Sequence, residues 1–222
     1  MPVFLDSIIH EPNPDATTSI VWLHGLGADG HDFEPLIPAL GLDSNRVRFI
    51  FPNAPVRPIS INNGMAMPGW YDIGHPDLSQ QIDLAGIQES SKLISQLVEG
   101  EMEKGREVIL AGFSQGGVVS LYAGMRLSKP LKGILALSCY LVTPEKIASE
   151  AHANNKDTPI MVMHGSEDPV VPELLGKASY EQLVKHGYQA EWKSYVMPHS
   201  VHPQQVNDIA QWLKKILRND AD

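Results

Sequence analysis

Short apolar runs alternate with amphipathic segments along most of the chain. Several of the apolar runs are nearly continuous, as strands buried on both faces are. They predict strands at residues 19–24, 46–52, 107–113, 132–138, 159–165 and 191–197, with an extra edge strand in VFLDSIIH at 3–10. Helical spacing predicts helices at residues 80–105, 115–127, 144–151, 173–186 and 203–217. Strands alternating with helices are typical of an α/β protein with a mainly parallel central sheet flanked by helices.

Two of the predicted helices have a recognisable apolar face. In the helix at 80–105, the apolar positions that recur near a period of 3.6 are Ile82, Ala85, Leu93, Leu97 and Met102, and Gly105 ends the pattern. The last helix begins with Pro203, which suits a first helical turn. Its apolar face is formed by Val206, Ile209, Trp212, Leu213 and Ile216. We expect this face to pack on the sheet.

The longest irregular segment runs from residue 53 to residue 79, where glycine, asparagine and proline argue against regular structure. A structureless loop of this length in a compact domain is usually functional. Apolar surface is provided by Met65, Met67, Trp70 and Tyr71. The chain has no internal repeat and no linker, so we predict one domain over residues 1–222 with a functional apolar loop at about 60–76.

Composition narrows the range of partners and compartments. Acidic residues outnumber basic ones, 26 to 17, and no run of Lys and Arg occurs, so no nucleic-acid partner is expected. The start, MPVFLDSIIHEPNPD, lacks the features of a secretory signal, and no apolar run is long enough for stable membrane insertion. A single cysteine, Cys139, rules out an internal disulfide and fits a cytoplasmic location. An apolar loop is also compatible with peripheral membrane contact or with a homodimer, and the sequence does not rank these two.

The stretch LHGLGADGHDF, residues 23–33, contains a G-x-G-x-x-G pattern after a predicted strand. In a dinucleotide-binding site, an acidic residue at the end of the second strand holds the ribose. Here that strand ends in IFPNAPVRP, and Asp43 precedes the strand instead of following it. The glycine pattern is therefore accidental, and no nucleotide cofactor is expected.

A candidate nucleophile lies in VILAGFSQGGVVSLYAGM. Gly112-Phe-Ser114-Gln-Gly116 forms a G-x-S-x-G pattern between an apolar strand and a helix that begins with small residues. A sharp turn between strand and helix holds a serine hydroxyl clear of the sheet, and the flanking glycines let the neighbouring backbone pass. We therefore predict that Ser114 is a nucleophile, which requires a histidine base and an acid to orient that base.

The candidate acid follows the strand predicted at 159–165. Asp168 lies just beyond the strand end, in a turn with Pro169, and Glu167 is the neighbouring alternative. An aspartate before proline also commonly caps a turn with its side chain, so a structural role for Asp168 stays open. Its place between the serine and the histidine along the chain favours the catalytic acid.

Two histidines follow the strand predicted at 191–197. His199 comes directly after the strand and is the preferred base, whereas His202 precedes the last helix and is a candidate helix cap. Two further histidines at strand ends, His24 and His164, do not lie downstream of the acid, so we expect them to orient loops through hydrogen bonds. A metal cluster of His164, Asp168, His199 and His202 has no supporting ligand spacing and would leave Ser114 unexplained, so no metal is expected.

Six motifs in chain order resemble the acyl-protein thioesterase and carboxylesterase family: WLHGLGADGHDF, FPNAP, MPGWYDI, AGFSQGG, HGSEDPVVP and MPHSVHP. The similarity runs from about residue 18 to residue 217. It implies an α/β-hydrolase fold with no separate cap domain and a catalytic triad of Ser114, Asp168 and His199, which agrees with the residues chosen from position and chain order.

The resemblance further implies an oxyanion hole in which the backbone N–H groups of Leu26 and Gln115 stabilise the tetrahedral intermediate. It also implies that the loop with Met65, Met67, Trp70 and Tyr71 flanks a groove for an acyl chain and binds substrate there. The alternative for these four side chains is that they simply cover the core. No metal or organic cofactor is implied.

The predicted function is a serine hydrolase that cleaves carboxylic esters or acyl thioesters through an acyl-enzyme. Within enzymes, the same triad would also serve an amidase or peptidase. In a different class, a hydrolase fold also serves as a non-catalytic binding protein, but such a protein is expected to lose triad residues, and here every position is filled.

Overall fold

The chain folds into a seven-stranded sheet with helices on both faces and a separate two-stranded hairpin. A computed structural model describes residues 5–218. Its strands are β1 (Ser7–His10), β2 (Thr18–Leu23), β3 (Val47–Pro52), β4 (Val56–Ile59), β5 (Met65–Pro68), β6 (Glu107–Phe113), β7 (Gly133–Leu137), β8 (Ile160–Gly165) and β9 (Ala190–Tyr195). Its helices are α1 (Ile37–Leu40), α2 (Leu84–Glu103), α3 (Gln115–Gly124), α4 (Ile147–Glu150), α5 (Glu173–Lys185) and α6 (Pro203–Arg218).

The large sheet has the order β1-β3-β2-β6-β7-β8-β9. Strand β1 pairs with β3 in the antiparallel sense, and every other neighbouring pair is parallel. This arrangement confirms the predicted mainly parallel sheet. The first two residues of the predicted edge strand at 3–10 lie outside the described residues, and β1 begins at Ser7.

Two apolar layers cover the sheet, as β-strands buried on both faces require. The layer on one face includes buried side chains of α2, α3 and α5, and the layer on the other face includes those of α1 and α6. All five residues of the predicted apolar face of α6 are buried, which confirms that this helix packs on the sheet.

The predicted apolar face of α2 was displaced from the one that the structure buries. The innermost apolar positions are Ile87, Ile94 and Val98, each fully buried, whereas Ile82 precedes the helix and is exposed. The helix begins after Asp83, whose side chain accepts the N–H of Gly86 at 2.9 Å. The buried face includes Ser90, Ser91 and Glu101, and these polar residues concealed its centre from hydropathy.

The segment 53–79 was predicted to lack regular structure, and this prediction was wrong for part of it. Strands β4 and β5 form an antiparallel hairpin in which Val56 is opposite Pro68 and Ile59 is opposite Met65. Both strands of a two-stranded sheet are edge strands, where a proline without an N–H is tolerated. For that reason the prolines of this segment did not exclude strands.

The parallel strands bring several loops to one edge of the sheet. The carboxyl ends of β2 and β6 are neighbours, with Leu23 opposite Gly112. The next strand of the sheet after β2, which is β3, lies on one side of this pair, and the next strand after β6, which is β7, lies on the other side. Such a reversal of strand order opens a crevice at the carboxyl edge, where open α/β sheets bind ligands. The candidate serine, aspartate and histidine all follow strands that end at this edge.

Candidate active site

Ser114 lies in a strained turn between β6 and α3. Its backbone has φ 54° and ψ −122°, a conformation that residues with a side chain rarely adopt. The turn is held by a hydrogen bond from the Ser114 N–H to the carbonyl of Leu137, at 2.9 Å. A Cβ atom at Gly116 would lie only 2.5 Å from the carbonyl oxygen of Leu23, so the helix approaches β2 only with glycine there. The G-x-S-x-G sequence therefore forms the sharp turn that it predicts.

Asp168 and His199 are in direct contact. Asp168 Oδ2 lies 2.6 Å from His199 Nδ1, and the aspartate side chain has no exposed surface. The other carboxylate oxygen accepts the backbone N–H groups of Val170, at 2.9 Å, and Val171, at 2.8 Å. Because a carboxylate only accepts, this contact assigns the histidine proton to Nδ1 and leaves Nε2 free to act as a base.

The alternative acid, Glu167, and the alternative histidine, His202, have other contacts. Glu167 is exposed and donates its backbone N–H to the carbonyl of Met197, at 3.2 Å. His202 is also exposed, and its Nδ1 accepts the N–H of Gln204 in the first turn of α6, at 3.2 Å. His202 therefore caps this helix. The acid in contact with His199 is Asp168 and not Glu167.

His24 and His164 are buried, and both hold loops through hydrogen bonds, the role predicted for them. His24 Nδ1 donates to the carbonyl of Gly25 at 2.7 Å, while its Nε2 accepts the N–H of Ala54 at 3.0 Å. His164 Nε2 donates to the carbonyl of Val171 at 2.8 Å. Burial lowers the pKa of both imidazoles from the ordinary histidine value, so both stay neutral near neutral pH.

The backbone N–H of Leu26 lies in the loop after β2, and that of Gln115 lies in the Ser114 turn itself, at the first residue of α3. Gly25, in the first loop, is packed against Ser114, since a Cβ atom added to Gly25 would lie 3.5 Å from the serine Cβ. In the described range 5–218, neither the Leu26 nor the Gln115 N–H donates a hydrogen bond to another protein group. Both donors are therefore available to a ligand.

The four apolar residues of the loop differ strongly in exposure. Met65 is 64% exposed, and Met67 is half-buried beside the Leu26 loop, with its sulfur 3.7 Å from the position of a Cβ atom on Gly27. Trp70 and Tyr71 are buried, at 0% and 3% exposure. Only the two methionines therefore present substantial surface for a substrate, and Trp70 meets other protein groups on all sides.

A cavity of about 360 Å³, which the sequence did not predict, is lined by none of Ser114, Asp168 and His199. It opens between α5 and the segments 78–82 and 140–145. Tyr140 forms part of its wall, and the hydroxyl of Tyr140 lies 3.5 Å from that of Tyr71. The lining is mainly apolar and comes from three separate stretches of chain, so no single sequence motif marks it.

Within residues 5–218, no group of three or more His, Cys, Asp and Glu side chains is arranged to hold a metal ion. The helices of the same range include none with the length and apolar character needed to cross a membrane.

The fold and this edge of the sheet define the class of protein: an α/β-hydrolase. The sequence matches the phospholipase/carboxylesterase family model over residues 5–217, and the chain belongs to that family. This confirms the predicted α/β-hydrolase fold and the predicted activity as a hydrolase of ester or thioester bonds.

Three relatives illustrate the similarity. The chain is 35% identical to acyl-protein thioesterase 1 of Cryptococcus neoformans var. neoformans serotype D (strain JEC21), covering 98% of this chain and all of that protein. It is 39% identical to acyl-protein thioesterase 1 of Gibberella zeae, covering 90% of this chain and 91% of the relative. Among solved structures, acyl-protein thioesterase 2 of Zea mays superposes with a TM-score of 0.86, at 26% identity over 96% of this chain and 100% of that one.

Proposed function

We propose that the protein is a serine hydrolase that cleaves acyl esters and thioesters with Ser114 as nucleophile, His199 as general base and Asp168 as the residue that orients the base. The observation that carries this proposal is the 2.6 Å contact between Asp168 and His199 at the sheet edge where Ser114 lies in a strained turn. The names of the relatives, acyl-protein thioesterases, favour thioesters of acylated proteins as substrates.

The reaction proceeds in two acyl transfers. His199 Nε2 takes the proton of the Ser114 hydroxyl as Oγ attacks the carbonyl carbon, and then gives that proton to the departing alcohol or thiol. Water then attacks the acyl-enzyme with the same base, which releases the acid and restores the serine. No metal or organic cofactor takes part in either step.

The Leu26 and Gln115 N–H groups form the proposed oxyanion hole. The negative oxygen of the tetrahedral intermediate exists only during acyl transfer, so donors aimed at its position stabilise the transition state more than the substrate. The two N–H groups suit this role because neither donates to another group within residues 5–218 and both flank Ser114.

The acyl chain of the substrate is proposed to contact Met65 and Met67 of the hairpin. Methionine side chains adapt to irregular apolar ligands. Trp70 and Tyr71 support this surface from beneath, because both are buried. The cavity beside Tyr140 is large enough to receive part of an apolar chain. Proposed partners are therefore acylated small molecules, lipids or proteins. The proposed location is the cytoplasm, which the single cysteine, Cys139, fits.

Fluorophosphonate labelling combined with a substrate panel tests this function. Wild-type protein is expected to label at Ser114 and to hydrolyse p-nitrophenyl esters and acyl thioesters, and Ser114→Ala should do neither. Turnover of anilides alone would instead identify an amidase or peptidase. Folded wild-type protein that neither labels nor turns over any substrate would identify a non-catalytic binding protein.

A further inference from the structure

The segment 68–71 is bonded to the loop that carries Leu26. Gly27 donates its N–H to the first carbonyl of this segment at 2.8 Å. Trp70 Nε1 donates to the carbonyl of His24 at 2.9 Å. These two hydrogen bonds lie on either side of Leu26 along the chain, so the segment controls where the Leu26 N–H points.

The same segment is bonded to the nucleophile turn through the side chain of Gln115. Gln115 Oε1 accepts the N–H of Trp70 at 3.0 Å, and Gln115 Nε2 donates to the carbonyl of Tyr71 at 2.7 Å. The Gln115 side chain is buried, so both ends of its amide are used within the protein. Its backbone N–H belongs to the residue directly after Ser114.

Trp70 is the residue common to both connections. Its backbone N–H bonds towards Gln115, its indole N–H bonds to His24, and its carbonyl accepts the hydroxyl of Ser90 from α2. The indole is fully buried, and its ring lies 5.4 Å from the His24 ring between centroids. Every hydrogen-bonding group of Trp70 is therefore engaged, and two of the three engage loops at the site.

We propose that Trp70 is a positioning residue for the oxyanion hole. The two donor N–H groups lie on loops after different strands, β2 and β6, and must point at the same oxygen from about 3 Å. Trp70 is bonded to both loops and sets their separation. This inference rests on the proposed function, because it assumes that the Leu26 and Gln115 N–H groups bind the oxyanion.

The proposal predicts a kinetic effect that ordinary core packing does not. The oxyanion forms only in the transition state, so a misplaced donor lowers kcat and leaves substrate binding nearly unchanged. A residue that only fills the core changes stability, and a residue that touches the substrate changes KM. The indole N–H is the group to remove, since its bond to His24 is the one by which Trp70 itself holds the Leu26 loop.

Trp70→Phe removes this N–H donor and keeps an aromatic ring. We expect kcat to fall by about tenfold or more, with KM changed by less than about twofold. The matched control is Trp212→Phe, which makes the same substitution in a buried tryptophan of α6 that packs on Gly133 at the start of β7, away from the site. The control should lower the melting temperature and leave kcat within about twofold of wild type.

Ser90→Ala is a milder second test that does not depend on the folding of Trp70→Phe. It removes only the hydroxyl that holds the carbonyl of Trp70. We expect kcat to fall by at least about threefold with KM unchanged. Its control is Thr158→Val, which removes a comparable buried hydroxyl donor to the carbonyl of Leu131, remote from the site.

A trifluoromethyl ketone with the acyl chain of the substrate gives an independent measurement, because its adduct with Ser114 places a negative oxygen in the oxyanion hole. Its inhibition constant should rise by the same factor as kcat/KM falls in each Trp70 and Ser90 variant. The proposal is overturned if kcat of Trp70→Phe and Ser90→Ala matches that of the controls, or if the loss lies in KM. Ser114→Ala separates the two levels: full turnover in that variant would refute the proposed function itself, whereas abolished turnover with unaffected Trp70→Phe would refute this inference alone.

Discussion

Asp168 holds the ring of His199 in one orientation, with Oδ2 of the carboxylate 2.6 Å from Nδ1 of the imidazole. The other oxygen of Asp168 is occupied by two backbone N–H groups of the following turn. The aspartate is thereby fixed on both sides and presents one oxygen to the histidine. This arrangement combines the two roles that the sequence left open, because the same carboxylate caps its turn and orients the imidazole.

Asp168→Asn tests the orientation of the histidine. The amide keeps an oxygen for the two N–H groups but presents an NH₂ group to Nδ1, which moves the histidine proton to Nε2 and removes the base. We expect kcat to fall by about 10⁴-fold, measured with a p-nitrophenyl ester at neutral pH. Glu167→Gln, at the exposed neighbour, should stay within about twofold of wild type. Equal losses in the two variants would contradict the assignment of the acid.

Ser114→Gly tests the strain in the turn that carries Ser114. Glycine adopts positive φ without steric cost, so this variant should be more stable than Ser114→Ala by about 1 kcal/mol, while both variants are inactive. Urea unfolding of the two inactive variants measures the difference directly. Alanine is the correct reference because it keeps a Cβ atom at the φ of 54°. Identical stabilities would show that the turn stores no strain.

Glu101 is the centre of a buried ion network at the opposite edge of the sheet. It accepts the Ser19 hydroxyl at 2.7 Å and pairs with Lys104 at 2.7 Å and with Arg106 at 3.3 Å. Burial by itself would raise the pKa of the Glu101 carboxyl, but the hydrogen bonds from Lys104 and Ser19 and the charge of Arg48 hold that pKa below its ordinary value. The charged form is therefore favoured by folding.

Glu101→Gln should lower the free energy of unfolding by about 3 kcal/mol at neutral pH, because it removes the carboxylate that two largely buried cations, Arg48 and Arg106, share and leaves them with Glu11 alone. A carboxyl with a lowered pKa in the folded state stabilises the protein above its unfolded pKa, and this contribution is lost as the pH falls through the folded pKa. The difference between wild type and variant should consequently shrink on acidification. Chemical denaturation over an acid pH series measures it, with exposed Glu89→Gln as control. A difference independent of pH would contradict the ionised role of Glu101.

Met67→Ala tests the proposed acyl surface of the hairpin. Each methylene withdrawn from water contributes about 0.8 kcal/mol, so the loss of this side chain should matter more for long acyl chains than for short ones. We expect kcat/KM to fall by about fivefold for an octanoyl ester and by less than about twofold for an acetyl ester. The side chain of Val184 on α5 is exposed and belongs to neither the hairpin nor the cavity lining, so Val184→Ala serves as control. A uniform loss across chain lengths would assign Met67 a structural role instead.

The local pattern of the sequence was sufficient to predict the parallel strands of the large sheet and the last helix. The predicted strand at 107–113 coincides with β6, and the other strands of the parallel sheet differ from prediction by one or two residues at their ends. A strand buried on both faces is continuously apolar, which is a strong local signal. The apolar face of α6 was equally clear because its opposite face is polar.

Other elements depend on contacts that hydropathy does not encode. The face of α2 was misplaced because it buries Ser90 and Glu101, whose partners Trp70 and Ser19 are distant in sequence. The hairpin of β4 and β5 was missed because its strands are short and contain proline. In both cases the tertiary environment satisfies polar groups or tolerates residues that would otherwise argue against the element.

Chain order and strand ends determined, from the sequence by itself, which serine, aspartate and histidine to consider, because parallel strands bring their carboxyl ends to one edge. Only the tertiary structure decided that Asp168 contacts His199 while Glu167 faces solvent, and that Trp70 lies beneath the site with bonds to both adjoining loops. The physical reason is that a hydrogen bond forms only within a few tenths of an ångström of a separation of about 3 Å, and here the partners are far apart in the chain. Those distances exist only once the sheet and its loops have packed.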